Sequence, residues 1–223
     1  MVKSMQYDLE ADEKFDDPDN SLIYECKKAA LDNRYVIMNG LITENAIETV
    51  WLQCELLKIK EEKEPIDLYI NSPGGDAQVS MFISDYIRSG TCAVRTIGIG
   101  ECCSGAFIIL VSGLKRYCYK NTTLMMHNIS AGIVDADAKS TLSHAKNLED
   151  LWRRILKLLS EQSNLSEKEI EAKINEEREW YISSEQALEY GWVDEIIEPK
   201  FTYRNRKSWD KKTSSANRKK TAK

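Results

Sequence analysis

Ser104 lies in the run Gly98-Ile-Gly-Glu-Cys-Cys-Ser-Gly-Ala-Phe107, where an apolar segment meets glycines and then a small apolar stretch. A serine at a helix start faces free backbone amides and the positive end of the helix dipole. An acyl-transfer nucleophile needs that combination, an exposed hydroxyl beside donors that can hold an oxyanion. The strand-turn-helix order follows the logic of a nucleophile elbow, although the run does not match Gly-x-Ser-x-Gly. Serine is also a common helix cap, and the sequence leaves both uses open. Cys103 is a rival nucleophile, but a reactive thiol needs a lowered pKa, and nothing in the neighbouring residues signals one.

A serine nucleophile needs a base, and the chain has two histidines, His127 and His144. His127 ends the apolar run Thr123-Leu-Met-Met126, so it stands at the tip of a strand. His144 falls in a polar helical stretch and reads as a surface residue, which leaves His127 the better base. Spacing does not select an orienting acid among 36 carboxylates. Asn71-Ser-Pro-Gly-Gly75 is a second unusual loop. Its paired glycines permit close backbone approach and amides aimed at an oxyanion. A plain tight turn accounts for the same five residues.

The elements that must position these groups alternate. Arg34–Gly40 reads as a strand ending at a glycine turn, and Thr43-Glu44 opens a helix that a lysine-rich stretch closes by Lys63. Pro65–Ile70 and Ala93–Ile99 are further strands, and Asp76 caps a helix running to about Arg88. Ser104–Ser112 is a buried helix, followed by short strands at Tyr117–Tyr119 and Thr123–Met126. Leu142–Leu159 carries an apolar stripe on a long helix, Ser166–Glu169 has capping-box form, and Gly191 stops a helix over Ser184–Tyr190. This order predicts an α/β architecture with a largely parallel sheet, whose functional residues gather at the strand-to-helix loops.

Composition narrows the function. With 223 residues and 42% hydrophobic content, the chain can build one full core. No apolar run approaches a membrane span, and the acidic N-terminus is not a secretory signal, so the expected location is the cytoplasm. Six cysteines without CxxC spacing read as free, mostly buried thiols. Two histidines cannot build a multi-histidine centre, so the expectation is catalysis with no metal and no cofactor. The net charge of −5 argues against nucleic acid as a partner. Residues 1–20 hold seven acids and two lysines, and residues 202–223 hold nine basic residues and one aspartate. The expected division is therefore an acidic flexible segment at 1–20, a catalytic domain at 21–200 and a basic flexible tail at 201–223.

Several ordered segments resemble the proteolytic subunit of the Clp protease. They are Leu68-Tyr-Ile-Asn-Ser-Pro-Gly-Gly75, Gly100–Gly113 around Ser104, Lys115-Arg-Tyr-Cys…Met126-His127, and Glu185-Gln-Ala-Leu-Glu-Tyr-Gly-Trp-Val-Asp194. The likeness runs from about Arg34 to Ile197. It implies a crotonase-like α/β fold with a protruding handle helix. It also implies a serine-type endopeptidase acting on unfolded polypeptide inside a chamber of stacked, heptameric homo-oligomeric rings, fed by an ATP-driven unfoldase. By position, Ser104 and His127 take the catalytic places, and the amides of Gly75 and Gly105 take the oxyanion places. The third triad position, an aspartate in that family, falls on Glu179, which is one methylene longer.

Other departures are visible. Gly105 stands where the family has methionine, Cys102-Cys103 replace a small pair, and the proline after His127-x is absent from Asn128-Ile-Ser-Ala-Gly132, a segment that binds substrate as an extended strand in the family. The long helix carries about three extra residues, and the N-terminus lacks the family's axial-loop sequence. Two further readings stay open: a weak or inactive subunit that assembles with an active partner, and a crotonase-fold lyase or hydratase acting on an acyl thioester.

Overall fold

The structure is a computed structural model that describes residues 18–60, 64–130 and 137–200. The expected C-terminal tail and residues 1–17 of the expected N-terminal segment lie outside the described residues. Helix α1 (Pro18–Asp32) begins before the expected boundary at residue 20.

Five parallel strands form the main sheet in the order β1 (Tyr35–Asn39), β2 (Ile66–Ser72), β3 (Val94–Cys103), β4 (Lys115–Tyr119) and β7 (Glu195–Ile197). Strand β5 (Thr123–His127) joins the far end of β3 in parallel, and β6 (Glu179–Ile182) pairs antiparallel with β5. The α/β fold with a parallel sheet is therefore the one expected. Right-handed crossover physics requires the intervening helices to cover the sheet faces.

Strand β3 is longer than the sequence suggests and serves two partners. Arg95–Gly98 pairs with β4, whereas Glu101–Cys103 pairs with β5. Between these halves the register against β2 slips. Gly100 sits there at φ +71°, and a side chain in its place would run into the Asn71 carboxamide. Asn71 fixes this kink, accepting from Glu101 N and donating to Asn39 Oδ1. Such a bulge re-aims the strand end, and here the re-aimed end carries Ser104.

The helix expected from Thr43 is divided into α2 (Asn45–Ile47), a π-helical stretch (Glu48–Leu52) and α3 (Gln53–Lys60); residues 61–63 lie outside the described residues. Helix α4 (Ala77–Arg88) follows the Gly-Gly loop, and Asp76 Oδ1 accepts from Gln78 N and Val79 N as its cap. Helix α5 (Gly105–Leu110) is buried along its whole length, with Phe107 edge-on to Trp192 at 5.2 Å. Burial of its four large side chains contributes about 1.5–3 kcal/mol each and fixes the helix start under the loop.

Helix α6 (Ala138–Glu161) is the long helix. Its C-terminal half buries Leu151, Trp152, Ile155, Leu156, Leu158 and Leu159. Its N-terminal half is almost wholly exposed, Leu142 included, and projects from the body as the expected handle. Helix α7 (Glu167–Glu177) starts on the expected Ser166–Glu169 capping box, and α8 (Ser184–Glu189) starts on a second one formed by Ser183 and Gln186. Among the described residues no helix is long and apolar enough to cross a membrane.

Candidate active site

Ser104 is the hinge between β3 and α5, and its backbone adopts φ +54°, ψ −120°. A non-glycine residue there costs on the order of 1–3 kcal/mol and persists only where its surroundings impose it. Ser104 N donates to Met125 O at 2.7 Å, and its carbonyl accepts from Phe107 N at 3.0 Å. Gly74 presses from the other side: a Cβ there would lie 2.6 Å from Cys103 O and 2.8 Å from Ser104 Cβ. The Ser104 hydroxyl makes no capping bond, so the ordinary use of serine at a helix start does not explain it.

The Gly-Gly loop is held by the chain before α2. Ile42 N donates to Gly74 O, and Asp76 N donates to Ile42 O. Gly74 N donates to Ser72 Oγ at 3.0 Å. Gly75, at φ +149°, lies so close to Ile42 that no side chain fits. Among the described residues the amides of Gly75 and Gly105 donate no hydrogen bond. Two uncommitted donors beside one hydroxyl are what an oxyanion site requires.

Ser104, Gly75, Gly105 and His127 line one open cavity of about 450 Å³, together with Met126, Ile129 and the α6 side chains Leu148, Leu151 and Ile155. Strand β5 brings His127 there, two residues beyond the carbonyl that anchors Ser104. His144 is exposed on the projecting half of α6. Asn128–Ser130 is not a strand, and residues 131–136 lie outside the described residues.

Glu179 faces His127 directly across the antiparallel ladder of β5 and β6. Side chains opposite one another in such a ladder share a sheet face. Glu179 is nevertheless exposed and does not line the cavity. Its Oε2 accepts from Tyr181 Oη at 3.4 Å. Among the described residues no hydrogen bond joins Ser104 Oγ to His127, and no ion pair joins His127 to Glu179. Catalytic hydrogen bonds are often long before substrate binds, so the arrangement is brought together but not closed.

Tyr181, the hydrogen-bond partner of Glu179, was not singled out from the sequence. The signal was present, since Glu179 and Tyr181 are two apart on a strand and so share a face. The negative charge of Glu179, then burial, raises the Tyr181 pKa, so its hydroxyl stays a donor. Ser80 was also missed. It stands beneath Gly105, where any side chain would run into its Oγ. This contact explains why residue 105 has no side chain.

Cys103 is a poor rival to Ser104. Burial first, then the charges of Glu101 and Glu179, push its thiol up to about 11. Burial likewise raises Cys102. At neutral pH both stay protonated, and the thiolate is the nucleophilic form.

The Clp protease family model matches residues 18–200. The chain is similar to ATP-dependent Clp protease proteolytic subunit 1 of Rhodopirellula baltica, with 31% identity over 75% of this chain and 73% of the relative. It is similar also to ATP-dependent Clp protease proteolytic subunit 2 of Treponema denticola, with 33% identity over 74% of this chain and 82% of the relative.

Proposed function

The chain belongs to the Clp protease family, and from that premise we propose that it is a serine-type endopeptidase subunit with Ser104 as nucleophile and His127 as general base. Its activity is that of a Clp-type proteolytic subunit, a peptidase. In the proposed reaction His127 takes the Ser104 proton as Oγ attacks the scissile carbonyl, and the Gly75 and Gly105 amides hold the oxyanion. His127 then returns the proton to the leaving amine, and water releases the acyl group by the same route. Glu179 is the proposed orienting acid, reached by a rotation of its side chain away from Tyr181.

The observation that carries this reading is the strained, cap-free Ser104 between two uncommitted amides. Strain of that kind is a reservoir that functional sites use. A homo-oligomeric assembly, heptameric rings in stacked pairs, an ATP-driven unfoldase as partner, unfolded polypeptide as substrate and a cytoplasmic location complete the proposal. The half of α6 before Leu148 supports assembly, because it is exposed among the described residues.

The deciding experiment is labelling with a serine-directed fluorophosphonate and mapping of the adduct. A single adduct at Ser104 is expected. Folded protein that takes no label there would refute the assignment. The weak-subunit reading draws support from the Glu179–Tyr181 bond and predicts peptide hydrolysis only in mixed assemblies. Hydrolysis of a small peptide by the isolated protein would exclude it.

A further inference from the structure

The lining of the cavity that holds Ser104 and His127 is of two kinds. Strand β5 and helix α6 supply apolar side chains, Met126, Leu148, Leu151 and Ile155. The start of α4, directly after the Gly-Gly loop, supplies polar ones, Asp76 and Gln78. Among the described residues that line the cavity, Asp76 is the one carboxylate, and no lysine or arginine accompanies it. The other titratable group there is His127, the proposed base, which is uncharged when it accepts the Ser104 proton.

Hydrogen bonds hold Asp76 in place. Its Oδ1 accepts from Gln78 N at 2.7 Å and from Val79 N at 2.9 Å. Its amide donates to Ile42 O at 2.9 Å, and its carbonyl accepts from Ser80 Oγ at 2.7 Å. Among the described residues Oδ2 accepts no hydrogen bond, and the carboxylate makes no ion pair. The dipole of α4 offsets about half of a unit charge, so a net negative charge remains one residue from the Gly75 amide. A charge in a cleft with apolar walls is focused on whatever enters it. Glu179, opposite His127 on the β5–β6 ladder, adds a charge of the same sign close by.

We propose that Asp76 is a specificity-determining residue of this cleft, selecting peptides with a lysine or arginine beside the scissile bond and rejecting those with an aspartate or glutamate there. The preferred peptide pairs that basic residue with an aliphatic one, which the side chains of β5 and α6 accommodate. The charge of Asp76 also opposes an oxyanion on the Gly75 amide. A cationic substrate side chain seated on Asp76 cancels that opposition, so the selection extends from binding to turnover. This inference rests on the peptidase reading of the site and narrows its substrate class.

The test reads binding apart from turnover, in the full chain carrying Ser104→Ala. Dye-labelled peptides share one aliphatic core and differ in a single Lys, Ala or Glu placed on either side of it. They are titrated by fluorescence anisotropy. The better-placed Lys peptide is expected to bind about 3–10-fold more tightly than its Glu counterpart at about 0.05 M salt, with a smaller ratio at about 0.5 M. Asp76→Asn keeps the capping oxygen, and Asp76→Ser is an equally good cap, so both retain the start of α4. Each is expected to bring the Lys-to-Glu ratio close to one. Equal affinities for the Lys and Glu peptides before that change would overturn the proposal. So would a preference that survives in both variants, or failure of every peptide to bind. With Ser104 restored, the same ratio is expected in kcat/KM. Fluorophosphonate labelling of Ser104 reads the peptidase assignment independently, so a labelled serine without charge preference sinks this inference alone.

Discussion

Glu179 and His127 stand directly opposite one another across the β5–β6 ladder, yet the Glu179 carboxylate accepts from Tyr181 and not from the imidazole. An antiparallel pair sets the two side chains on one face but does not choose their rotamers. The extra methylene of glutamate gives the carboxylate the reach to leave the histidine. Tyr181, two residues along the same strand, supplies a competing donor. The third member of the proposed triad is therefore selected by side-chain rotation, not by backbone placement.

Two substitutions test this competition. Glu179→Gln keeps the shape but loses the charge that orients and stabilises the imidazolium, and kcat for a short peptide is expected to fall about 100-fold or more. Tyr181→Phe removes the rival donor, worth about 1 kcal/mol, and kcat is expected to rise about 2–5-fold. A Glu179→Gln enzyme with unchanged kcat and pH profile would remove Glu179 from the mechanism.

Ser104 exchanges stability for geometry. Ser104→Ala and Ser104→Gly both abolish fluorophosphonate labelling and lower peptide hydrolysis by about 10³-fold or more. Only glycine relaxes the φ +54°, ψ −120° backbone. Thermal unfolding should therefore rank Ser104→Gly above Ser104→Ala by about 1–3 kcal/mol. Equal stabilities would mean that the hinge stores no strain.

Gly105 and Ser80 form a packing couple. Gly105→Ala drives its Cβ into Ser80 Oγ and is expected to cost about 1–3 kcal/mol in denaturant unfolding. The double variant Gly105→Ala/Ser80→Ala removes the clashing atom and should recover most of that loss. Additive losses would show that the two residues are not coupled.

The salt link from Arg116 to Asp194 carries a pH signature. Burial alone would raise the Asp194 pKa, but hydrogen bonds and charge from Arg116 outweigh it and hold the carboxyl below its ordinary value. A lowered folded-state pKa gives stability that is present above the unfolded value, about 3.9, and lost as pH falls through the folded one. Arg116 also donates to Gln162 O, so the pair ties β4 to the end of α6 and to the approach to β7. Asp194→Asn should destabilise by about 1 kcal/mol at pH 7 and by almost nothing near pH 2 in urea titrations. A difference that persists at pH 2 would assign the effect to packing.

Much of this architecture was legible from local chemistry. Gly40 and Gly191 marked turns, Asp76 and Ser166 marked helix starts, and the apolar stripe of α6 marked its buried face. Strands β6 and β7 escaped because four and three residues carry too little periodicity, and their pairing partners are distant in the chain. The extension of β3 to Cys103 was hidden by Gly98 and Gly100, which read as a loop until Asn71 is seen to pin them. At the candidate site, the convergence of Ser104 and His127 on one cavity was readable from residue type and position. The strain at Ser104 and the diversion of Glu179 were not, because both arise from neighbours that only the fold supplies.

Among the described residues helix α6 buries side chains along its C-terminal half only. Its projecting half spans about 20 Å at 1.5 Å per residue, and among the described residues it is held by its backbone hydrogen bonds, the Asp137 cap and Leu148 at the cavity. Isolated helices of that length are marginal in water. In a lone subunit the amides from Ala138 towards Asp150 should exchange with deuterium close to the rate of an unstructured peptide, while those beyond Leu151 resist. Docking of this segment on another surface would slow the exchange, so one stretch of backbone amides can report, without any substrate, whether the subunit stands alone.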